Sequence, residues 1–268
     1  MGFYSRIYDI VAVISALVGG ACIGSFINAA AMRTVAERKW WGRERSACDS
    51  CGTLLRPADL LPVVSFVILR GRCRYCGASI RPRHLAAEVV CAALTAALAA
   101  RWGVSAALAV SLAVSWFSLF NSLTDIENGY IYDMWALALG AAGLAMRLAG
   151  GWPAVREGIL GALLGFGVIA VIILVSRGGM GWGDAVLMCG IGGAVGWKYC
   201  IFSLYAGFLA GGLVVLPLML ANKLKRKDAI PLGPFLAVGS VITLFLGNEL
   251  IFRFRSLLGA YPGWPWGN

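Results

Sequence analysis

The chain has 268 residues, 60% of them hydrophobic and 13% charged, with a mean hydropathy of +0.79. A water-soluble domain carries roughly 25% charged residues, so this composition excludes a soluble enzyme, a disordered tail and a small secreted disulfide scaffold, and describes a polytopic membrane protein. The 23 Lys and Arg against 13 Asp and Glu give a formal charge of +10, and the single histidine, His84, excludes an HExxH metalloprotease or a multi-histidine metal centre. In a membrane protein, excess basic charge marks cytoplasmic loops and the anionic lipids they face; nucleic acid is not an expected partner.

A helical crossing of the hydrocarbon core needs about 20 apolar residues. Runs of this kind are Ile10–Met32, Leu85–Ala100, Val104–Leu123, Met134–Gly150, Ile159–Val175, Ala185–Trp197, Tyr199–Leu220 and Ile230–Phe252. They predict an all-α protein with about eight transmembrane helices, of which the sixth, at 13 residues, is the shortest. The first run reads as a retained helix rather than a signal peptide: Arg6 is offset by Asp9, the apolar stretch is long, and it carries Ser25 and Asn28. The expected organisation is a first transmembrane helix over 1–32, a module over 33–84 and a seven-helix core over 85–268.

Arg33–His84 is the polar exception, with eleven Lys or Arg against four Asp or Glu, a net +7. Positive-inside bias places it in the cytoplasm. Parity then puts the loops after the third, fifth and seventh helices on the same side, including Lys223-Leu-Lys-Arg-Lys227. These segments together hold 16 of the 23 basic residues. Both termini fall on the opposite side, where the Trp/Pro tail Tyr261–Asn268 suits a membrane interface.

Within the basic segment, Cys48-Asp-Ser-Cys51 and Cys73-Arg-Tyr-Cys76 form C-x2-C-x21-C-x2-C, each pair followed by a glycine, Gly52 or Gly77. This is the spacing of a tetrahedral four-cysteine zinc site, with a redox dithiol pair and no metal at all as the alternatives. Arg70, Arg72, Arg74 and Arg81 offset the charge of a zinc tetrathiolate. Such a site is closed, so its zinc is structural. Cys22, Cys91, Cys189 and Cys200 lie in or beside apolar runs and read as packing residues.

Ionisable groups at membrane depth are expensive and are functional candidates by default. Asp125, Glu127 and Asp133 surround the third-to-fourth connection, and Asp184 follows the glycine-rich Gly178-Gly-Met-Gly-Trp-Gly. Parity puts Asp125 and Asp184 on one side of the membrane. Two carboxylates meeting there share a proton, one serving as base on a water while the other polarises a carbonyl. The plainer reading makes Asp184 and Asp133 helix caps and Glu127 a solvated turn residue. Glu88 and Glu249 inside apolar runs suit pairing with a loop arginine as well as catalysis. Asn28 and Ser25 suit interhelical hydrogen bonds, and His84 reads as an ordinary loop residue.

Four ordered motifs resemble the type IV prepilin peptidases, a family of GxGD intramembrane aspartyl proteases. They are Gly24-Ser-Phe-Ile-Asn28 with Arg33; Asp59-Leu-Leu-Pro62 with Ser65 and Leu69-Arg-Gly-Arg-Cys73-Arg-Tyr-Cys76-Gly77; Gly181-Trp-Gly-Asp184; and Ile230-Pro-Leu-Gly-Pro-Phe-Leu-Ala237. The resemblance implies a helix bundle with a cytoplasmic zinc module, in the bacterial inner membrane. It makes Asp125 and Asp184 the catalytic pair that removes the basic leader of prepilins or pseudopilins. It further implies methylation of the new N-terminus by S-adenosylmethionine, with Asn28, Arg33 and Glu88 as the residues it points to. No G-x-G-x-x-G follows a strand, so a dinucleotide-type site is not expected. The sequence departs from the family pattern at Val186, where a lysine is usual, at Tyr132, where proline is frequent, and at Arg83-His84-Leu85, where arginine–tyrosine–proline is common. The rival readings are a peptidase without methyl transfer, a proton-coupled transporter on a zinc scaffold, and an inactive assembly platform.

Overall fold

The computed structural model describes residues 2–39, 45–177, 179–223 and 230–258, the side chains of 2–9 and 250–258 excepted. The tail Tyr261–Asn268 and most of the basic loop after the seventh helix therefore lie outside the described residues. Among these residues the secondary structure is helical, with two isolated antiparallel bridges, Ala47–Leu54 and Arg72–Ser79. The chain divides into two compact units, Met1–Arg101 and Trp102–Asn268.

The first unit holds α1 (Gly2–Val35), the short α2 (Val64–Ile68) and α3 (Pro82–Trp102). α1 and α3 are antiparallel and pack through small residues. A Cβ on Gly20 would lie 2.8 Å from Ala92 Cα, and one on Gly24 would lie 2.7 Å from the Ala87 carbonyl oxygen. Glycines four apart let two backbones approach in this way inside a membrane. The cysteine segment is the insertion between the two helices.

The second unit holds α4 (Ala106–Asn128), α5 (Asp133–Arg147), α6 (Gly151–Val175), α7 (Trp182–Val195), α8 (Trp197–Leu220) and α9 (Gly233–Leu258). Each of the eight apolar runs thus falls on a helix, and five stretches are long and apolar enough to cross a membrane, among them the continuous run Asp133–Val175. That run is a hairpin. A 3-10 turn over Leu148–Gly150 and Gly151 at φ +72° reverse it, and Gly158 on α6 comes back against Leu144 and Arg147 of α5. α6 begins at Gly151, earlier than the apolar run at Ile159, because Pro153 in its first turn fits a helix start and Arg156 and Glu157 extend the polar end.

The 14-residue α7 is the core of this unit. It is only about 21 Å long at 1.5 Å per residue, but Leu187, Met188, Ile191, Ala194 and Val195 are buried among its neighbours. On one side Gly190 and Ala194 meet Ala136 and Gly143 of α5; on the other, Gly192 and Met188 meet Gly161 and Gly165 of α6, and added Cβ atoms would collide with backbone. At its far end Arg147, fully buried, donates from Nε and Nη2 to the Ala194 carbonyl at 3.2 and 3.1 Å and from Nη1 to that of Ala154 at 3.1 Å. The guanidinium so supplies donors that the last helical turn lacks. α8 and α9 pack together around Gly207 and Gly239, and α4 lies against α9 and touches α7.

Candidate active site and cysteine module

Asp125 lies one turn before the end of α4. Its carbonyl accepts the N–H of Gly129, whose φ of +71° ends the helix in the left-handed conformation that glycine tolerates. The connection to α5 is tied back to α4: Asn121 Oδ1 accepts the Tyr132 N–H at 3.2 Å, Asn128 Oδ1 accepts the Tyr130 N–H at 3.1 Å, and Phe120 rests against Tyr132 and Trp135. Asp125 is 7% exposed, and its Oδ2 accepts the N–H of Gly233, the first residue of α9, at 2.8 Å. A Cβ at Gly233 would lie 2.8 Å from that oxygen, so the approach is open to glycine alone.

Asp184 occupies the first turn of α7 and is also 7% exposed. Gly181 is the N-cap, and the Asp184 N–H donates to the Gly181 carbonyl at 3.2 Å. Gly183 is needed for packing, since a Cβ there would lie 2.8 Å from Ile131 Cβ in the α4–α5 connection. The two carboxylates are near enough for the charge of Asp125 to act on Asp184. Asp184 Oδ1 is buried without a hydrogen-bond partner in the fold. Buried polar atoms are normally satisfied, and an orphaned acceptor beside a second carboxylate is where a water or a peptide group would bond. Glu127 and Asp133 are exposed. The expectation that Asp133 caps α5 is corrected: Tyr132 is the N-cap and no side chain caps this helix. Val186, in place of the family's usual lysine, is partly buried one turn into α7.

In the first unit, the Sγ atoms of Cys48, Cys51, Cys73 and Cys76 all lie within 4.8 Å of one another, with Cys48 and Cys76 3.9 Å apart. Zn–S bonds of about 2.3 Å at tetrahedral angles set the sulfurs about 3.8 Å apart, so the set fits zinc. The two knuckles are built alike. Gly52 and Gly77, at φ +68° and +70°, donate N–H to the carbonyls of Cys48 and Cys73, while Cys48 and Cys73 donate to those of Thr53 and Ala78. Thr53 draws the Cys51 thiol down to about 6, and the backbone N–H groups of Cys76 and Tyr75 lower Cys73. Cys76 is pushed up to about 11: the Ala78 N–H lowers it, but desolvation and the three sulfurs beside it prevail. Four thiols so placed cannot all ionise without a cation. Asp59 braces the module, accepting from Arg74 Nε at 2.7 Å, Tyr75 Oη at 3.0 Å and the Arg56 N–H at 3.1 Å; the Arg74 contact leads in holding its carboxyl below the usual range. Among the other cysteines Cys91 and Cys200 are buried as packing residues, whereas Cys22 is exposed on α1.

Asn28, Arg33 and Glu88 fall in this unit with different surroundings. Asn28 is 4% exposed, its Nδ2 bonds His84 Nδ1 at 2.7 Å, and its Oδ1 has no partner in the fold. Arg33 ends α1. Glu88 Oε2 accepts the N–H of Val63 at 2.7 Å. His84, read as an ordinary loop residue, is instead the polar partner of Asn28. Sequence gave one signal of this, the shared polarity of two residues at the ends of apolar runs.

The family model for the bacterial peptidase A24 N-terminal domain matches residues 18–102, and that for the type IV leader peptidase family matches residues 112–216, which include Asp125 and Asp184. A prepilin leader peptidase/N-methyltransferase of Burkholderia pseudomallei (strain K96243) is 31% identical over 273 residues, covering 91% of this chain and 87% of the relative. The chain belongs to the type IV leader peptidase family. Leader peptidases of the same description from Bacillus subtilis (strain 168), 32% identical over 80% of this chain and 87% of the relative, and from Pseudomonas putida, 30% identical over 91% and 94%, agree. No solved structure matches this leader peptidase chain.

Proposed function

We propose that this protein is a membrane-embedded aspartyl endopeptidase that removes the basic leader of type IV prepilins or pseudopilins and then methylates the new N-terminus. The observation that carries the proteolytic half is the burial of two carboxylates, Asp125 and Asp184, on α4 and α7, helices that touch, within a chain of the type IV leader peptidase family. In the proposed reaction the ionised carboxylate takes a proton from water as its oxygen attacks the peptide carbonyl carbon. The protonated partner hydrogen-bonds the carbonyl oxygen and stabilises the charge that develops there. The tetrahedral carbon then collapses, the C–N bond breaks, and a carboxyl proton passes to the departing amine. Two carboxylates sharing one proton suffice for this chemistry.

The exposed Glu127 and Asp133 suit a basic leader, and positive-inside bias places the pair and the cysteine module on the cytoplasmic side of a bacterial inner membrane. The stretch 33–84 is proposed as a module organised by zinc on Cys48, Cys51, Cys73 and Cys76, and 85–268 as the proteolytic core. S-adenosylmethionine supplies the methyl group when bound. The unsatisfied Oδ1 of Asn28 suits that role; Arg33 and Glu88 are its proposed companions, although one oxygen of Glu88 already serves Val63.

The test is cleavage of a prepilin with a basic leader by protein reconstituted in lipid, comparing wild type with Asp125→Asn and Asp184→Asn. Both substitutions abolish cleavage while the helical fold and zinc content persist. Cleavage by either variant at the wild-type rate would remove the dyad. A mass gain of one methyl group on the product when S-adenosylmethionine is supplied marks the second activity; its absence leaves a peptidase alone.

A further inference from the structure

The segment Leu60–Ile68 has no part in the cleavage chemistry, yet it is held in a costly conformation. Val63, the residue before α2, has φ +61° and ψ −48°. A β-branched residue in that region is an outlier that persists only where its surroundings over-determine it. Here the restraint is Glu88, whose carboxylate accepts the Val63 N–H at 2.7 Å. Glu88 lies six residues into α3, about 9 Å along the axis from its start, and within the apolar run that opens at Leu85. The backbone at the start of α2 is thereby fixed level with the first turns of α3, a helix long and apolar enough to cross a membrane.

The side chains divide accordingly. Phe66 turns inward, where a Cβ on Gly71 would lie 3.0 Å from its ring. Leu60, Leu61, Val64, Val67 and Ile68 face outward, Val67 and Ile68 being 64% and 69% exposed. Five adjacent large aliphatic residues bare to solvent are anomalous on a water-soluble surface and mark an interaction site. Arg56, Arg70 and Arg72 flank the segment and are exposed, in a module of net charge +7.

We propose that Leu60–Ile68 is a monotopic membrane anchor, with Leu60, Leu61, Val64, Val67 and Ile68 inserted at the headgroup–acyl boundary and Arg56, Arg70 and Arg72 against lipid phosphates. The occupant is the anionic cytoplasmic leaflet, which matches the charge and the depth fixed by Glu88. This rests on the reading of the protein as membrane-embedded with its module in the cytoplasm, but not on catalysis. The anchor fixes the zinc module at the surface through a third attachment besides α1 and α3.

The experiment is depth measurement by nitroxide collision in vesicles of phosphatidylethanolamine and phosphatidylglycerol. Labels are carried on a ketone-bearing amino acid at positions 64, 67 and 79, so the native cysteines stay untouched, and zinc content checks each variant. Labels at 64 and 67 favour oxygen over a water-soluble nickel chelate, at a depth of about 5–10 Å below the boundary, while the label at Ser79 reads aqueous. Equal access of the nickel chelate at 67 and 79 would overturn the anchor. Protection of 67 from both quenchers would assign the patch to a protein partner and overturn it as well. Hydrogen exchange of the unsubstituted protein gives a second reading: amides of Val64–Ile68 exchange more slowly in phosphatidylglycerol vesicles than in phosphatidylcholine vesicles, and equal rates would count against the proposal. Neither readout needs a substrate, so an inactive protein with an inserted anchor separates this inference from the proteolytic one.

Discussion

Replacing Gly233 by alanine tests whether the backbone of α9 sets Asp125, the carboxylate proposed as catalytic. The new Cβ would stand 2.8 Å from Asp125 Oδ2, 3.3 Å from its Cγ and 3.4 Å from its Cβ. Ordinary contact begins at 3.4 Å, so the oxygen or the start of α9 must retreat by about 0.6 Å, on the scale at which misplacing a reacting group costs about 10²-fold in rate. The same retreat weakens the Gly233 N–H bond to Oδ2, and a hydrogen bond to a charged group contributes about 1.5–3 kcal/mol, which spans about 10- to 150-fold. Both routes lead to a kcat lowered by about two orders of magnitude, while KM moves by less than about threefold because the leader-binding groups are untouched. The assay is steady-state cleavage of a prepilin in proteoliposomes, with thermal unfolding as the check on fold. Gly212→Ala on α8 is the control, since no atom lies within 4 Å of a Cβ there, and it keeps full activity. A Gly233→Ala enzyme with kcat within about twofold of wild type would refute the role of this contact.

Arg147→Met leaves the Ala194 carbonyl, in the last turn of α7, without the guanidinium, at about 1–3 kcal/mol for the unpaired group; the melting temperature in nanodiscs falls, Arg147→Lys falls less, and an unchanged melt would refute the role given to Arg147. Removing the proposed zinc with a chelator, or by Cys48→Ser, unfolds the knuckles and raises the reactivity of the other cysteines toward thiol reagents. Protein that holds no zinc as isolated, with four freely titrating thiols and an unaltered melt, would revive the dithiol reading.

The long helices were legible because a membrane leaves few alternatives to twenty apolar residues, and the cysteine cluster because thiolate spacing is a short-range property. The carboxylate pair was legible only as candidates, since nothing local distinguishes Asp184 from a helix cap. Gly233 could not be seen as a partner of Asp125: its contribution is a backbone N–H, which every residue but proline carries, 108 positions along the chain. Nothing local marks Arg147, inside the apolar run Met134–Gly150, as a residue that is buried because the last turn of α7 needs donors. The run that reads as the shortest is the short α7, of 14 residues. A helix enclosed by α5 and α6 has no lipid thickness to match, and its glycines serve neighbouring backbones rather than a turn.

The glycine contacts on both flanks of α7 also determine which part of the dyad can yield. A rod meshed backbone to backbone with two neighbours and pinned at its foot by Arg147 cannot slide or rotate unless three helices separate together. Asp184 therefore behaves as the fixed jaw. Asp125 stands on α4, which lies against α9 and only touches α7, so the side of the proposed pair that can shift against that jaw is α4 carried together with α9.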